Sequence, residues 1–203
     1  MIYWNDLETV SSLKQTLDQN KIVLVSGDTV LGLCGRLTRT AFEGLNDIKG
    51  RQEKPYLVII GSLDRLHHFI DQELTDQLQT LIETCWPGSV TLIFKARKDL
   101  PSWLVSAQGT IALRVPDHPG LLDLLQYYDG LFSTSANKHQ EPIPEAVSLV
   151  HPDLLHKVGS ICLERNQIVY PLNPSTILDC SQGTIQVVRS GAFNVDLIKD
   201  LIV

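Results

Sequence analysis

Five short clusters of polar or charged residues stand beside apolar runs in this 203-residue sequence: Ser26-Gly27-Asp28-Thr29, Lys49 to Lys54, Thr110 with Arg114, Ser133-Thr134-Ser135-Ala136-Asn137, and Ser175-Thr176 with Arg189. Where buried elements end, a rigid scaffold can present such groups to a ligand. Lys49, Arg51 and Lys54 surround Gly50 with three cations. That pattern suits a polyphosphate, because guanidinium pairs with phosphate oxygens and ammonium adds a mobile charge; it equally complements the negative end of a preceding helix. Arg114 is embedded in Ile111-Ala112-Leu113-Arg114-Val115. A cation inside an apolar strand is costly unless paired, so it requires an anion: a ligand carboxylate, or an internal one such as Asp117 or Asp123. Ser133 to Asn137 supplies three hydroxyls and an amide, fit for phosphate, ribose or a small polar substrate, and equally for a helix N-cap or an Asx turn. Thr29 and Ser175 suit a substrate or a turn, and the single carboxylate of Asp28 does not define a magnesium site.

The familiar nucleotide and nucleophile motifs are absent. There is no G-x-x-x-x-G-K-[ST] loop, no G-x-G-x-x-G fingerprint and no G-x-S-x-G elbow, so ATP binding requires another scaffold. His67 and His68 are adjacent and therefore point apart, and Cys34, Cys85, Cys162 and Cys180 include no C-x-x-C pair; no metal site is expected, and the cysteines read as small buried hydrophobes.

The elements that must position these clusters interleave along the chain. Periodicity predicts helices over residues 6–19, 41–48, 74–85, 118–127, 144–150 and 194–201, and strands over 21–25, 56–60, 90–94, 110–115, 131–133, 158–163, 175–179 and 184–188. Trp86-Pro87-Gly88 stops the helix before the strand at Val90. No linker separates two domains, so a single α/β domain over 1–203 is expected. Composition agrees: 43% hydrophobic and 20% charged residues are ordinary for a globular chain. The net charge of -6 opposes broad attraction to nucleic acid. With no apolar run near the roughly 20 residues of a membrane span and no signal-like N-terminus, a cytoplasmic location and no membrane contact are expected.

Taken in order, the segments resemble the YrdC-like threonylcarbamoyl-adenylate synthase family from about residue 8 to about residue 193. The matching stretches are Gly27 to Leu33, Lys49-Gly50-Arg51 with Lys54-Pro55, Trp86 to Leu92, Ala112 to Pro119, Ser133 to Asn137, Pro174 to Ile177, and Val188 to Gly191. The resemblance implies a twisted mixed parallel and antiparallel sheet with flanking helices around a concave cavity. It implies synthesis of threonylcarbamoyl-AMP and pyrophosphate from L-threonine, bicarbonate and ATP, a nucleotidyl transfer serving the threonylcarbamoyladenosine modification of tRNA. Residue by residue, it places Thr29, Arg114, Ser135 and Ser175 around threonine. It places Lys49, Arg51, Lys54, Thr110, Asn137 and Arg189 around ATP, with Mg2+ arriving on the nucleotide. Positioning by Lys49, Arg51 and Ser135 replaces acid–base catalysis, since the nucleophile is the carboxylated amine of the substrate. A tRNA-modifying transferase complex is the implied partner, with direct tRNA contact a further one.

The sequence departs from the family at Ser26-Gly27, where proline and threonine are usual, and at Leu31, where tyrosine is usual. Ile59 and Glu145 replace a histidine and a hydroxyl residue of some members. A synthase-inactive relative that binds RNA or a nucleotide is the alternative, because one fold hosts several functions.

Overall fold

The computed structural model describes residues 1–50 and 55–202. Arg51 and Lys54 lie outside the described residues, so their expected roles are not addressed by the geometry below. Within that range the chain forms β1 (Ile2–Tyr3), α1 (Thr9–Asp18), β2 (Val23–Val25), β3 (Gly32–Arg36), α2 (Arg39–Lys49), β4 (Leu57–Ile59), α3 (Asp76–Cys85), β5 (Val90–Lys95), β6 (Thr110–Arg114), α4 (Pro119–Leu125), β7 (Leu131–Ser135), α5 (Pro152–Lys157), β8 (Ser160–Leu163), β9 (Thr176–Asp179) and β10 (Gln186–Arg189). Three 3-10 helices cover Leu63–His68, Val147–Leu149 and Val195–Leu201.

The described strands make one sheet in the order β1-β8-β2-β3-β7-β4-β6-β5-β9-β10. The β1/β8, β8/β2, β4/β6 and β5/β9 pairs are parallel and the others antiparallel. The mixed α/β architecture expected from the interleaved elements is therefore present. Several boundaries moved for identifiable reasons. Strand β3 is not among the expected strands; it holds Gly32 and Gly35, which weaken a strand signal. The expected helix over 144–150 is reduced to the turn Val147–Leu149, since Pro142 and Pro144 disfavour helical backbone just before it. Helix α5, not anticipated, starts with Pro152 in its first turn, and the His151 side chain accepts from the Asp153 N–H.

Side chains alternate across each strand, and that period decides where the site lies. On one face Leu24, Leu33, Val58, Leu92, Leu113 and Phe132 pack with Phe42 and Leu45 of α2 and Leu78, Leu81 and Ile82 of α3. On the opposite face Val23, Val25, Cys34, Ile59 and Leu131 are covered by Leu13 and Leu17 of α1 and by Leu121, Leu124 and Leu125 of α4. Helices α1 and α4 cover only part of that second face. The remainder, from Ser133 and Leu57 across Ala112 and Arg114 to Thr91 and Ile177, lines an open cavity. Arg114 is tolerated in an apolar strand because Ile111 and Leu113 point into the core while Arg114 points to the cavity.

Candidate active site

The cavity encloses about 310 Å³, and its described lining includes Thr29, Thr91, Arg114, Ser135, Ser175 and Arg189. No described lining residue is a carboxylate, histidine or cysteine. Two cations among hydroxyls make a binding surface for anions.

Arg114 is only 5% exposed. Its Nη2 pairs with Asp28 Oδ1, and its Nη1 donates to Thr29 Oγ1 at 3.1 Å. The other Asp28 oxygen accepts the Asp117 N–H at 3.0 Å. The anion required by Arg114 is thus partly internal, and it is Asp28 rather than Asp117 or Asp123. The Arg114 Nε is nevertheless buried with no partner among the described residues. Burial lowers the guanidinium pKa and Asp28 opposes that shift, but arginine remains a cation throughout. Both Asp28 oxygens are engaged, one by Arg114 and one by the Asp117 N–H.

Lys49 ends α2, whose C-terminus is capped by Gly50 in the left-handed region at φ 62°. The ammonium is buried rather than extended toward solvent, and it donates to the Ser135 carbonyl at 2.7 Å and to Asn137 Oδ1 at 3.0 Å. Ser135 Oγ donates to the same amide oxygen. The His139 N–H donates to the Lys49 carbonyl at 2.9 Å. The turn after β7 is therefore fastened to the end of α2, and the Ser133–Asn137 cluster caps no described helix. Lys49 helps to hold that turn in shape.

Ser175, 5% exposed, shares a hydrogen bond with Thr91 Oγ1 at 2.8 Å, and its carbonyl accepts from Arg189 Nη2 at 2.6 Å. Desolvation lowers the Arg189 pKa. Thr110 is placed differently. It shares the strand face of Ala112 and Arg114, but its hydroxyl bonds Ser106 Oγ at 2.7 Å and it lines a neighbouring cavity of about 670 Å³ with Lys95 and Lys98. The structure thus brings Thr29, Arg114, Ser135, Ser175 and Arg189 to one cavity, joins Lys49 and Asn137 to Ser135 by hydrogen bonds, and places Thr110 at another cavity. Thr91 was not anticipated as a site residue; its signal was a hydroxyl within the apolar run Val90-Thr91-Leu92-Ile93-Phe94, the same kind of signal that singled out Arg114.

The departures at positions 26, 31 and 59 have packing reasons. Ser26 is 1% exposed, and its Oγ accepts from the Trp4 indole at 3.2 Å and from the Glu164 N–H at 3.0 Å. A side chain on Gly27 would press against Leu121, 3.1 Å from its Cβ. Leu31 is wholly buried in the main core and Ile59 lies under α4. None of these four residues is in the described lining of the cavity.

Comparison with known proteins agrees with this architecture. The family model described as Telomere recombination, Sua5_yciO_yrdC, matches residues 15–191. A protein of Shigella flexneri named threonylcarbamoyl-AMP synthase is 33% identical over 182 residues, spanning 88% of this chain and 94% of its own. The crystal structure of P. abyssi Sua5 complexed with L-threonine has a TM-score of 0.83 at 24% identity, covering 95% of this chain and 57% of that one. E. coli YciO has a TM-score of 0.79 at 20% identity, covering 94% and 92%. By the span of the family match and the identity to its relatives, the chain belongs to the Sua5/YciO/YrdC family.

Proposed function

We propose that this protein makes threonylcarbamoyl-adenylate and pyrophosphate from L-threonine, bicarbonate and ATP. The observation that carries the reading is the buried Arg114 guanidinium, with an unbonded Nε, on the wall of a cavity whose described lining has hydroxyls and a second arginine but no carboxylate, histidine or cysteine. The names of the curated relatives supply the reaction class, and a related fold has been crystallised with L-threonine.

In this reading Arg114 receives the threonine carboxylate, with Thr29 and Ser175 beside it. The amine condenses with bicarbonate to give the N-carboxylate and water. A carbamate oxygen then forms a bond to the α-phosphorus of ATP while the bond from that phosphorus to the β-bridging oxygen breaks, releasing pyrophosphate. The nucleophile belongs to the substrate, so the protein's tasks are to hold two anions in line and stabilise the charge that develops on the leaving group. Arg189, with Arg51 and Lys54, would serve the nucleotide, while Lys49 keeps Ser135 and Asn137 in place. Mg2+ would enter as part of the MgATP substrate, because the described cavity lining offers it no carboxylate. The product is a reactive mixed anhydride, and a cytoplasmic tRNA-modifying transferase complex is its expected acceptor.

The test is pyrophosphate release from MgATP and bicarbonate with and without L-threonine, with mass-spectrometric identification of the adenylate. Threonine-dependent release with that product is expected. Folded protein that releases none refutes the assignment and turns attention to a relative that binds RNA or nucleotide without synthesis.

A further inference from the structure

We propose that Thr91 is a positioning residue that fixes Ser175 as a hydrogen-bond donor toward the cavity and thereby sets affinity for the anionic amino-acid substrate. The inference rests on the function proposed above and assigns Thr91 a role exerted through Ser175.

Thr91 lies within β5, 1% exposed, with Oγ1 2.8 Å from Ser175 Oγ. Its hydroxyl makes no other hydrogen bond among the described residues. A hydroxyl carries one proton and two lone pairs, and a buried donor without a partner is rarer and costlier than an under-used acceptor. The Thr91 proton has one acceptor in reach, so Thr91 donates and Ser175 accepts. The Ser175 proton is then free to point into the cavity, where it meets a carboxylate or carbamate oxygen. The reverse arrangement leaves the almost wholly buried Thr91 proton without an acceptor among the described residues and shows an anion only lone pairs.

The rest of Ser175 is already fixed. Its carbonyl accepts from Arg189, the following Thr176 N–H donates to the Ser89 carbonyl at 2.9 Å, and the Ala192 N–H donates to the Pro174 carbonyl at 2.8 Å. Gly191 packs so closely that a Cβ there would lie 2.2 Å from the Pro174 oxygen and 2.6 Å from the Ser175 carbonyl carbon. With the backbone clamped, what remains is the side-chain rotamer and the direction of the hydroxyl proton. Thr91 decides both.

The test compares Thr91→Val, which keeps the shape and removes the hydroxyl, with Thr91→Ser, which keeps the hydroxyl. Pyrophosphate release gives kcat and KM, and calorimetric titration with L-threonine reads affinity without turnover. For Thr91→Val the threonine KM and Kd should rise about tenfold, about 1.4 kcal/mol, with kcat and the ATP KM unchanged; Thr91→Ser should restore both values. A wild-type Kd in Thr91→Val overturns the inference, as does a Thr91→Ser variant as weak as Thr91→Val, which would make the contact one of packing. Wild-type protein that binds threonine without making adenylate refutes the proposed reaction alone, and the Thr91→Val ratio still decides this inference. Folded wild type that binds no threonine overturns both.

Discussion

Replacing Arg114 by alanine removes a ligand contact and also breaks a buried pair, and the two effects separate experimentally. The Arg114 and Asp28 side chains are 6% and 10% exposed. Removing one partner of such a pair leaves an uncompensated charge, at a cost of about 3–5 kcal/mol. Asp28 keeps the Asp117 N–H as a second partner, which places the expected loss near the lower end, about 3 kcal/mol. For a chain of this size each kcal/mol lowers Tm by about 2–4 °C, so Arg114→Ala should melt about 6–12 °C below wild type. Arg114→Met combined with Asp28→Asn removes both charges while keeping much of the volume, and should recover most of that stability. Activity should not return with it, because the substrate carboxylate has still lost its cation. Urea unfolding read alongside threonine-dependent pyrophosphate release tests both halves. An Arg114→Ala protein as stable as wild type, or a double variant no more stable than the single one, would refute the ion-pair reasoning; a double variant with wild-type threonine KM would refute the placement of threonine.

Lys49→Met removes the ammonium donor of the half-buried Ser135 carbonyl, at a cost of about 1–3 kcal/mol, while the Asn137 amide oxygen keeps the Ser135 hydroxyl as donor. It should lower the urea midpoint and raise the ATP KM more than the threonine KM; unchanged stability would show that Lys49 does not hold the turn. Burial raises the thiol pKa from the ordinary 9.0 to about 12 for Cys34, Cys162 and Cys180 and to about 11 for Cys85. The folded chain therefore holds these protons more tightly than the unfolded chain, so their stabilising contribution is complete below about pH 9 and is lost as pH rises through 11 to 12. Urea midpoints that fall across that window, with no alkylation of native protein at pH 8, are expected; a midpoint independent of alkaline pH, or fast native labelling, would contradict the burial of these thiols.

The sequence by itself determined the alternation of helices and strands, because apolar period is local and survives without tertiary context. It also singled out side chains that the fold brings to one cavity, since Arg114 in an apolar strand and hydroxyls after Phe132 are anomalies against their neighbours. It could not decide what satisfies them. Asp28 meets Arg114 across 86 residues, Lys49 meets Ser135 across the same separation, and Thr91 meets Ser175 across 84. Such pairings are fixed by sheet order and by which face α1 and α4 leave uncovered, neither of which is written in local spacing. Lys49 is buried against the turn after β7, and an unremarked threonine is the partner of Ser175, for the same physical reason. A buried polar group takes the nearest partner that the fold supplies, and only the tertiary structure shows which one that is.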